Sequence, residues 1–95
     1  MIYRDIYVSC GEGWLRLIDP LIDICKRKGL KIIQVKEKYG GLRFYVDPYD
    51  SEVEDMIDIA EGDSLFICEI CGAKGMLRTD RHWVKTLCDG CAKGE

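Results

Sequence analysis

The sequence has little of what several classes of protein require. Its 95 residues include two prolines and one histidine, and no apolar run approaches the roughly 20 residues of a membrane span. The first residues, Met-Ile-Tyr-Arg-Asp-Ile-Tyr, lack the charged, apolar and small-residue regions of a signal peptide. Neither a serine-nucleophile motif nor a phosphate-binding loop is present. We therefore expect a cytoplasmic protein that is not an enzyme and has no membrane partner.

The composition is that of an ordinary folded domain. Hydrophobic residues make up 47% and charged residues 33%, which excludes disordered, collagen-like and low-complexity chains. The formal net charge of -3 argues against a protein that coats nucleic acid by bulk attraction. A chain of this length buries only about two-thirds of its surface on folding, so a bound metal would add useful stability.

Charge is divided into two blocks along the chain. Seven basic residues and one acid lie between Lys26 and Arg43, whereas eight acids and no base lie between Asp47 and Asp63. The two blocks are either solvated surfaces that attract each other, or a basic binding face whose ligand the acidic side repels. The sequence leaves both interpretations open.

The first part of the chain alternates between strand and helix patterns. Residues 2–9 predict one strand, and apolar residues recur at helical spacing over 14–25. Pro20 either begins this helix, with Asp19 as its N-cap, or lies within a longer, kinked helix. The basic residues before Gly29 and the glycine itself are typical of a helix end.

The middle of the chain predicts a β-hairpin and a second helix. Residues 30–38 and 42–47 are typical of strands joined by a two-glycine turn. Ser51 and Glu54 fit a capping box that begins the second helix. The predicted apolar face of that helix contains Val53, Met56, Ile57 and Ala60.

Six cysteines are the strongest signal in the sequence. Four of them form two Cys-x-x-Cys pairs with sixteen residues between, a spacing typical of four-cysteine zinc sites. In a reducing cytoplasm such thiolates are metal ligands more often than disulfides. Four thiolates close a tetrahedral shell, so we expect one structural Zn²⁺ ion, with tetrathiolate iron as the chemical alternative. The predicted ligands are Cys68, Cys71, Cys88 and Cys91.

The order of cysteine knuckle, hairpin and second cysteine pair resembles the treble-clef and zinc-ribbon proteins. In a treble clef the second pair opens a helix, and the four residues after Cys91 leave room for one turn at most. A ribbon and a truncated treble clef therefore both remain open. The predicted fold class is α+β, with two helices and a β-hairpin over residues 1–65 and a zinc-ribbon or treble-clef-like module over residues 66–95.

The wider chain is similar to a group of small bacterial and phage proteins. The resemblance rests on three features: Gly13-Trp14 at a helix start, a Lys-Glu-Lys-aromatic-Gly-x-Leu-Arg-Phe-Tyr segment at 36–45, and the terminal zinc knuckle at 68–91. It covers most of the chain. It implies a fold and carries no particular activity.

A basic and aromatic segment is the candidate ligand site. Strand alternation puts Arg43 and Tyr45 opposite an apolar row, and puts Lys36 and Lys38 together on one face. Such a set either binds phosphate and stacks a base, or forms a solvated surface. We predict a protein-interaction or regulatory module with a protein partner. A nucleic-acid or nucleotide binder that uses these four residues is the alternative.

Four further side chains carry expectations of their own. Cys10 precedes a helix start, which would make its thiol reactive if the helix lowered its pKa. Cys25 lies on the apolar helical stripe and should belong to the core. In the C-terminal module, His82 should lie on the surface and Trp83 should pack against the knuckle.

Overall fold

The N-terminal residues form a hairpin rather than the single strand that the sequence predicts. In the computed structural model, which describes residues 1–94, β1 (Ile2–Tyr3) pairs antiparallel with β2 (Ile6–Ser9). Arg4 and Asp5 between them have φ angles of 50° and 66°, as a two-residue type I′ turn requires. The single-strand prediction is wrong because such turns usually contain glycine or asparagine, and this one contains neither.

The first long helix connects β2 to the rest of the sheet. A 3₁₀ turn (Glu12–Trp14) leads into α1 (Leu15–Lys28), which Gly29 ends in the left-handed conformation with a φ of 71°. Pro20 lies inside this helix, so the alternative in which the helix begins at Pro20 is wrong. Pro20 has no amide hydrogen to donate to the carbonyl of Arg16. Because Arg16 is exposed, water can donate to that carbonyl instead.

The predicted hairpin completes the main sheet. β3 (Lys31–Lys38) and β4 (Gly41–Asp47) are antiparallel, β2 and β3 are parallel, and the order in the described chain is β1-β2-β3-β4. The turn lies at Tyr39 and Gly40, with φ angles of 53° and 83°, one residue earlier than the predicted two-glycine turn. A register shift beside Ile33 turns that apolar side chain outward, where it is 54% exposed.

The second long helix, α2 (Ser51–Ser64), packs beside α1 on the same face of the sheet. Its N-cap is Asp50 rather than the predicted Ser51, because the Asp50 carboxylate accepts the amide hydrogen of Val53 at 3.0 Å and is also paired with Lys28. The predicted apolar face of α2 is confirmed. The buried core that the sheet and both helices share comprises Val8, Trp14, Ile18, Leu21, Ile22, Ile24, Cys25, Val35, Leu42, Phe44, Val53, Ile57 and Ala60.

The outer edge of β4 is covered by side chains of α2. The amide of Leu42 donates to Ser64 Oγ at 3.0 Å, and the amide of Phe44 donates to Glu61 Oε2 at 3.0 Å. Burial raises the pKa of the Glu61 carboxyl, against the opposing effect of the Phe44 hydrogen bond. These edge amides are satisfied within the chain and are not open to a further strand.

The C-terminal residues form the predicted small module. β5 (Met76–Arg78) and β6 (Lys85–Leu87) are antiparallel, and α3 (Asp89–Lys93) follows them. The second cysteine pair lies at the start of α3, with Cys88 as its N-cap. The α+β fold class is confirmed, and α3 is a third, short helix of the described residues. Glu95, the last residue of the predicted module, lies outside them.

The helices are also short relative to a bilayer. Within residues 1–94, no helix is both long and apolar enough to cross a membrane.

Candidate metal centre and basic sheet face

The structure brings the four predicted ligands together. The Sγ atoms of Cys68, Cys71, Cys88 and Cys91 all lie within 4.8 Å of one another, and those of Cys71 and Cys88 are 3.6 Å apart. Zn–S bonds of about 2.3 Å in a tetrahedron put neighbouring sulfurs about 3.8 Å apart. All six cysteines of the chain are free thiols. The four sulfur atoms are therefore close to the spacing that they would have around one bound metal ion.

Backbone turns aim the sulfurs at a common point. The Gly72 amide donates to the Cys68 carbonyl at 2.9 Å and closes the first knuckle. Cys88 is the N-cap of α3, and its Sγ accepts the amide hydrogen of Cys91 at 3.4 Å. The short helix thus places both cysteines of the second pair on the metal side, and its free amide hydrogens favour the thiolate form.

The thiols of the cluster differ in acidity. Burial acts to raise the pKa of Cys68, but amide hydrogen bonds from Cys71, Cys88 and Ile70 outweigh it and lower the pKa to about 6. Hydrogen bonds to Cys88 and Cys68 raise the pKa of the Cys91 thiol to about 12. A cation that offsets the repulsion between neighbouring sulfurs would favour the thiolate form of Cys91. A divalent soft metal ion supplies that charge.

The first cysteine knuckle packs against the segment of residues 11–14, which the sequence did not identify as part of the site. The Gly13 amide donates to the Glu69 carbonyl at 2.7 Å, and a Cβ at Gly13 would overlap the carbonyl oxygen of Cys68. The Gly11 amide donates to Glu69 Oε2 at 2.9 Å, and Trp14 Nε1 donates to the Ile67 carbonyl at 2.8 Å. The sequence signal for this contact was the occurrence of Gly11 and Gly13 shortly before Trp14.

A second contact joins the module to the main sheet. Thr86 Oγ1 donates to the Gly40 carbonyl at 2.7 Å, in a buried position. A Cβ at Gly40 would lie 2.5 Å from Leu77 Cδ1, so the β5–β6 hairpin packs directly on the β3–β4 turn. The metal centre is therefore linked to both the helix start and the hairpin turn of the residues before it.

The four predicted ligand-binding residues lie on one face of the sheet. Lys36 is directly opposite Arg43 in the β3–β4 register, while Lys38 and Tyr45 follow at strand spacing on the same side. Both long helices pack on the other side. We call the uncovered side the open sheet face, and define it by Tyr7, Ser9, Lys36, Lys38, Arg43 and Tyr45.

The open sheet face is basic and partly aromatic. In the described part of the chain, Lys36, Lys38 and Arg43 form no salt bridge with a carboxylate. Tyr7 is 66% exposed and Tyr45 is 43% exposed. Of the two charge blocks, Lys28 forms ion pairs with Asp50 and Glu52. Burial raises the pKa of Glu61 in α2, and the nearby charge of Arg43 acts to lower it. The cations of the sheet remain available to an anion.

The other expectations from the sequence concern four single side chains, and the structure supports some of them. Burial, with Glu69 and Glu37 nearby, raises the pKa of the Cys10 thiol to about 12, so the helix start does not lower the pKa of this thiol. Cys25 is fully buried in the core, as predicted, and His82 is exposed, as predicted. Trp83 does not pack on the knuckle, because it lies on the β5–β6 loop and is 72% exposed.

No family model, curated protein or solved structure matches this chain. The function therefore has to be argued from the geometry of the two sites.

Proposed function

We propose that this chain is a non-enzymatic binding protein that holds one structural zinc ion and binds single-stranded nucleic acid on its open sheet face. The observation that carries the proposal is the convergence of Lys36, Lys38, Arg43 and Tyr45 on one uncovered side of the sheet. Cations neutralise phosphates, and an exposed ring stacks on a base whose face is accessible.

Zinc is the metal that fits the cluster best. Four sulfur ligands in a tetrahedral arrangement are typical of structural zinc, and they leave no coordination position for water or substrate. Elemental analysis of freshly reduced protein should find about one zinc per chain. Cys71→Ser should lower that content, whereas Cys10→Ser, at a half-buried thiol outside the cluster, should not. Stoichiometric iron, or zinc well below one per chain, would contradict the assignment.

The charge distribution favours a single strand on this face. The acidic residues of α2 belong to the helix layer, so phosphates are attracted to the sheet side and repelled from the other. Unpaired bases can lie flat on exposed rings such as Tyr7 and Tyr45, whereas paired bases in a duplex cannot.

Fluorescence anisotropy of a labelled single-stranded oligonucleotide tests the proposal. Arg43→Ala and Lys38→Ala should each weaken binding about ten- to a hundredfold, because each removes a charge-assisted contact of about 1.5–3 kcal/mol. Arg27→Ala removes the same charge from the end of α1, on the helix layer, and is the matched control. Wild-type affinity should also fall steeply with salt. Equal binding by wild type and both sheet variants would contradict the proposal.

A protein-interaction module is the second candidate function, and a groove between α1 and α2 favours it. The groove has a volume of about 300 Å³, and the exposed Ile59 lies at its edge with Pro20 and Met56. An apolar partner in this groove should bind with little dependence on salt. Binding of a protein partner that survives nuclease treatment and high salt, but is lost in the Ile59→Asp variant, would favour this candidate over the first.

A further inference from the structure

A cleft separates the β3–β4 turn from the loop of residues 79–84, which joins β5 to β6 and which we call the zinc-hairpin loop. Glu37, Lys38 and Tyr39 form one wall. His82, Trp83 and Val84 form the other. Its volume of about 500 Å³ is in the range of small-molecule sites. The cleft lies at the end of the open sheet face, because Lys38 belongs to both.

Two large aromatic side chains in this cleft are unburied. Tyr39 is 73% exposed and Trp83 is 72% exposed, so neither contributes to the core. Trp83 makes an edge contact with His82, with ring centroids 5.6 Å apart at 87°. Exposed aromatic rings that face a cleft are suited to stacking on a planar ligand.

The cations around the cleft favour an anionic planar ligand. Lys38 Nζ lies 5.5 Å from the centroid of the Tyr39 ring. His82 and Trp83 also line a neighbouring cavity of about 290 Å³, whose other walls are Arg81 and Lys85. The carboxylate of Glu37 is committed to the turn, because it accepts the Gly40 amide hydrogen at 2.8 Å. The positive charges of these lysine and arginine side chains would repel a cationic ligand, whereas they would attract the phosphate of a nucleotide.

The two walls are held by direct contact. Gly40 has no room for a side chain between Leu77 and Val84, and its carbonyl accepts the hydroxyl hydrogen of Thr86. Thr86 lies on β6, next but one to the metal ligand Cys88. These contacts place the zinc-hairpin loop beside the β3–β4 turn, so both walls of the cleft are present without a ligand.

We infer that this cleft holds one nucleobase of the strand whose phosphates lie on the open sheet face, stacked on Trp83 with Tyr39 on the opposite wall. The inference rests on the proposed function, and it assigns a role to a tryptophan that the fold does not use.

Tryptophan fluorescence reports on this cleft selectively. The chain has two tryptophans, and Trp14 is fully buried while Trp83 is exposed. A short oligothymidylate should quench the fluorescence. A chain of the same length with abasic sugars carries the same phosphates without bases, and should not quench it.

Affinity measurements on variants complete the test. Trp83→Ala should weaken binding of the oligothymidylate about tenfold or more and leave binding of the abasic chain unchanged. Trp83→Phe should retain most of the affinity. Phe66→Ala removes another exposed aromatic residue, 67% exposed and outside the cleft, and should bind as wild type does. Zinc content and thermal melting check that each variant is folded.

The possible failures are distinguishable. If Trp83→Ala binds as wild type while Arg43→Ala binds more weakly, the cleft is not a base site and the open sheet face stands. If the wild type binds neither chain, both the cleft and the proposed function are wrong. If the abasic chain binds as tightly as the oligothymidylate, the phosphates alone are recognised and the stacking role of Trp83 is wrong.

Discussion

The sheet with its two long helices and the C-terminal module are stabilised in different ways. Of the buried apolar residues in the described chain, thirteen belong to the shared core of the sheet and helices, and two, Cys68 and Leu87, belong to the module. Large apolar side chains are exposed in both regions, and those of the module are Phe66, Ile70, Met76, Leu77 and Trp83. The first region is stabilised by burying apolar surface, whereas on the proposed zinc assignment the second is stabilised by a metal ion and by contacts with its neighbour.

The two regions support each other through a small set of contacts. The module rests on the Gly11–Trp14 segment and on the β3–β4 turn, and both belong to elements that the core already positions. In return, Ile67 of the module packs against the core, and its carbonyl accepts the indole hydrogen of the buried Trp14. The division into residues 1–65 and 66–95 stays a prediction, which separate expression of residues 1–65 would test.

Removal of the metal should give the largest effect and the clearest separation of the two regions. A chelator should abolish amide-exchange protection in β5 and β6, because binding energy at a structural zinc site, about 10 kcal/mol or more in small zinc domains, is folding energy. Amides of α1 and α2 should stay protected. Hydrogen exchange followed by mass spectrometry measures both regions in one experiment. Unchanged protection of β5 and β6 after complete metal removal would contradict the comparison.

Gly13→Ala should break the link between the two regions. The new Cβ would overlap the Cys68 carbonyl oxygen, so the knuckle has to move away from the helix start, at a cost of about 3 kcal/mol. Gly62→Ala is the matched control, because Gly62 lies within α2 with nothing within 4 Å of its added methyl. The control should raise stability by about 1 kcal/mol. Equal thermal melting of the two variants would show that the knuckle does not rest on Gly13.

The pH dependence of stability at Glu61 should be a smaller effect, confined to the region of the sheet and the two long helices. Burial holds its folded-state pKa above the usual 4.5, so stability from this group is complete at low pH and is lost as the pH rises through the raised pKa. Glu61→Gln keeps an acceptor for the Phe44 amide and cannot ionise. The melting temperature of Glu61→Gln minus that of wild type should be larger at neutral pH than at acid pH, by a few degrees at most. A constant difference between the two proteins across that range would contradict the assignment.

The sequence predicted most where local chemistry decides the structure. Cysteine spacing alone predicted the four cysteines that the structure brings together, since two residues between sulfurs suffice to close a knuckle. Strand alternation placed Lys36, Lys38, Arg43 and Tyr45 correctly, because the β3–β4 register has no shift between residues 34 and 45. The apolar stripe of α2 was likewise evident from its helical spacing.

The sequence predicted least where distant contacts decide. The close approach of Gly13 to the knuckle involves residues more than fifty positions away, which no local pattern reveals. Arg4 takes a left-handed conformation in a tight turn, where its guanidinium pairs with Asp19 and Asp23 of α1. Trp83 looked like a packing residue because tryptophans are usually buried, and only the hairpin geometry shows that it faces solvent.

Amide chemical shifts during titration with a single-stranded oligonucleotide test the central claim most directly. Binding at the open sheet face predicts shifts at Ser9, Lys36 and Arg43 and at the indole N–H of Trp83, all of which weaken as salt is added. Amides in the groove between α1 and α2 should stay unchanged. Shifts confined to that groove, or no shifts at low salt with zinc-loaded protein, would contradict nucleic-acid binding by the sheet.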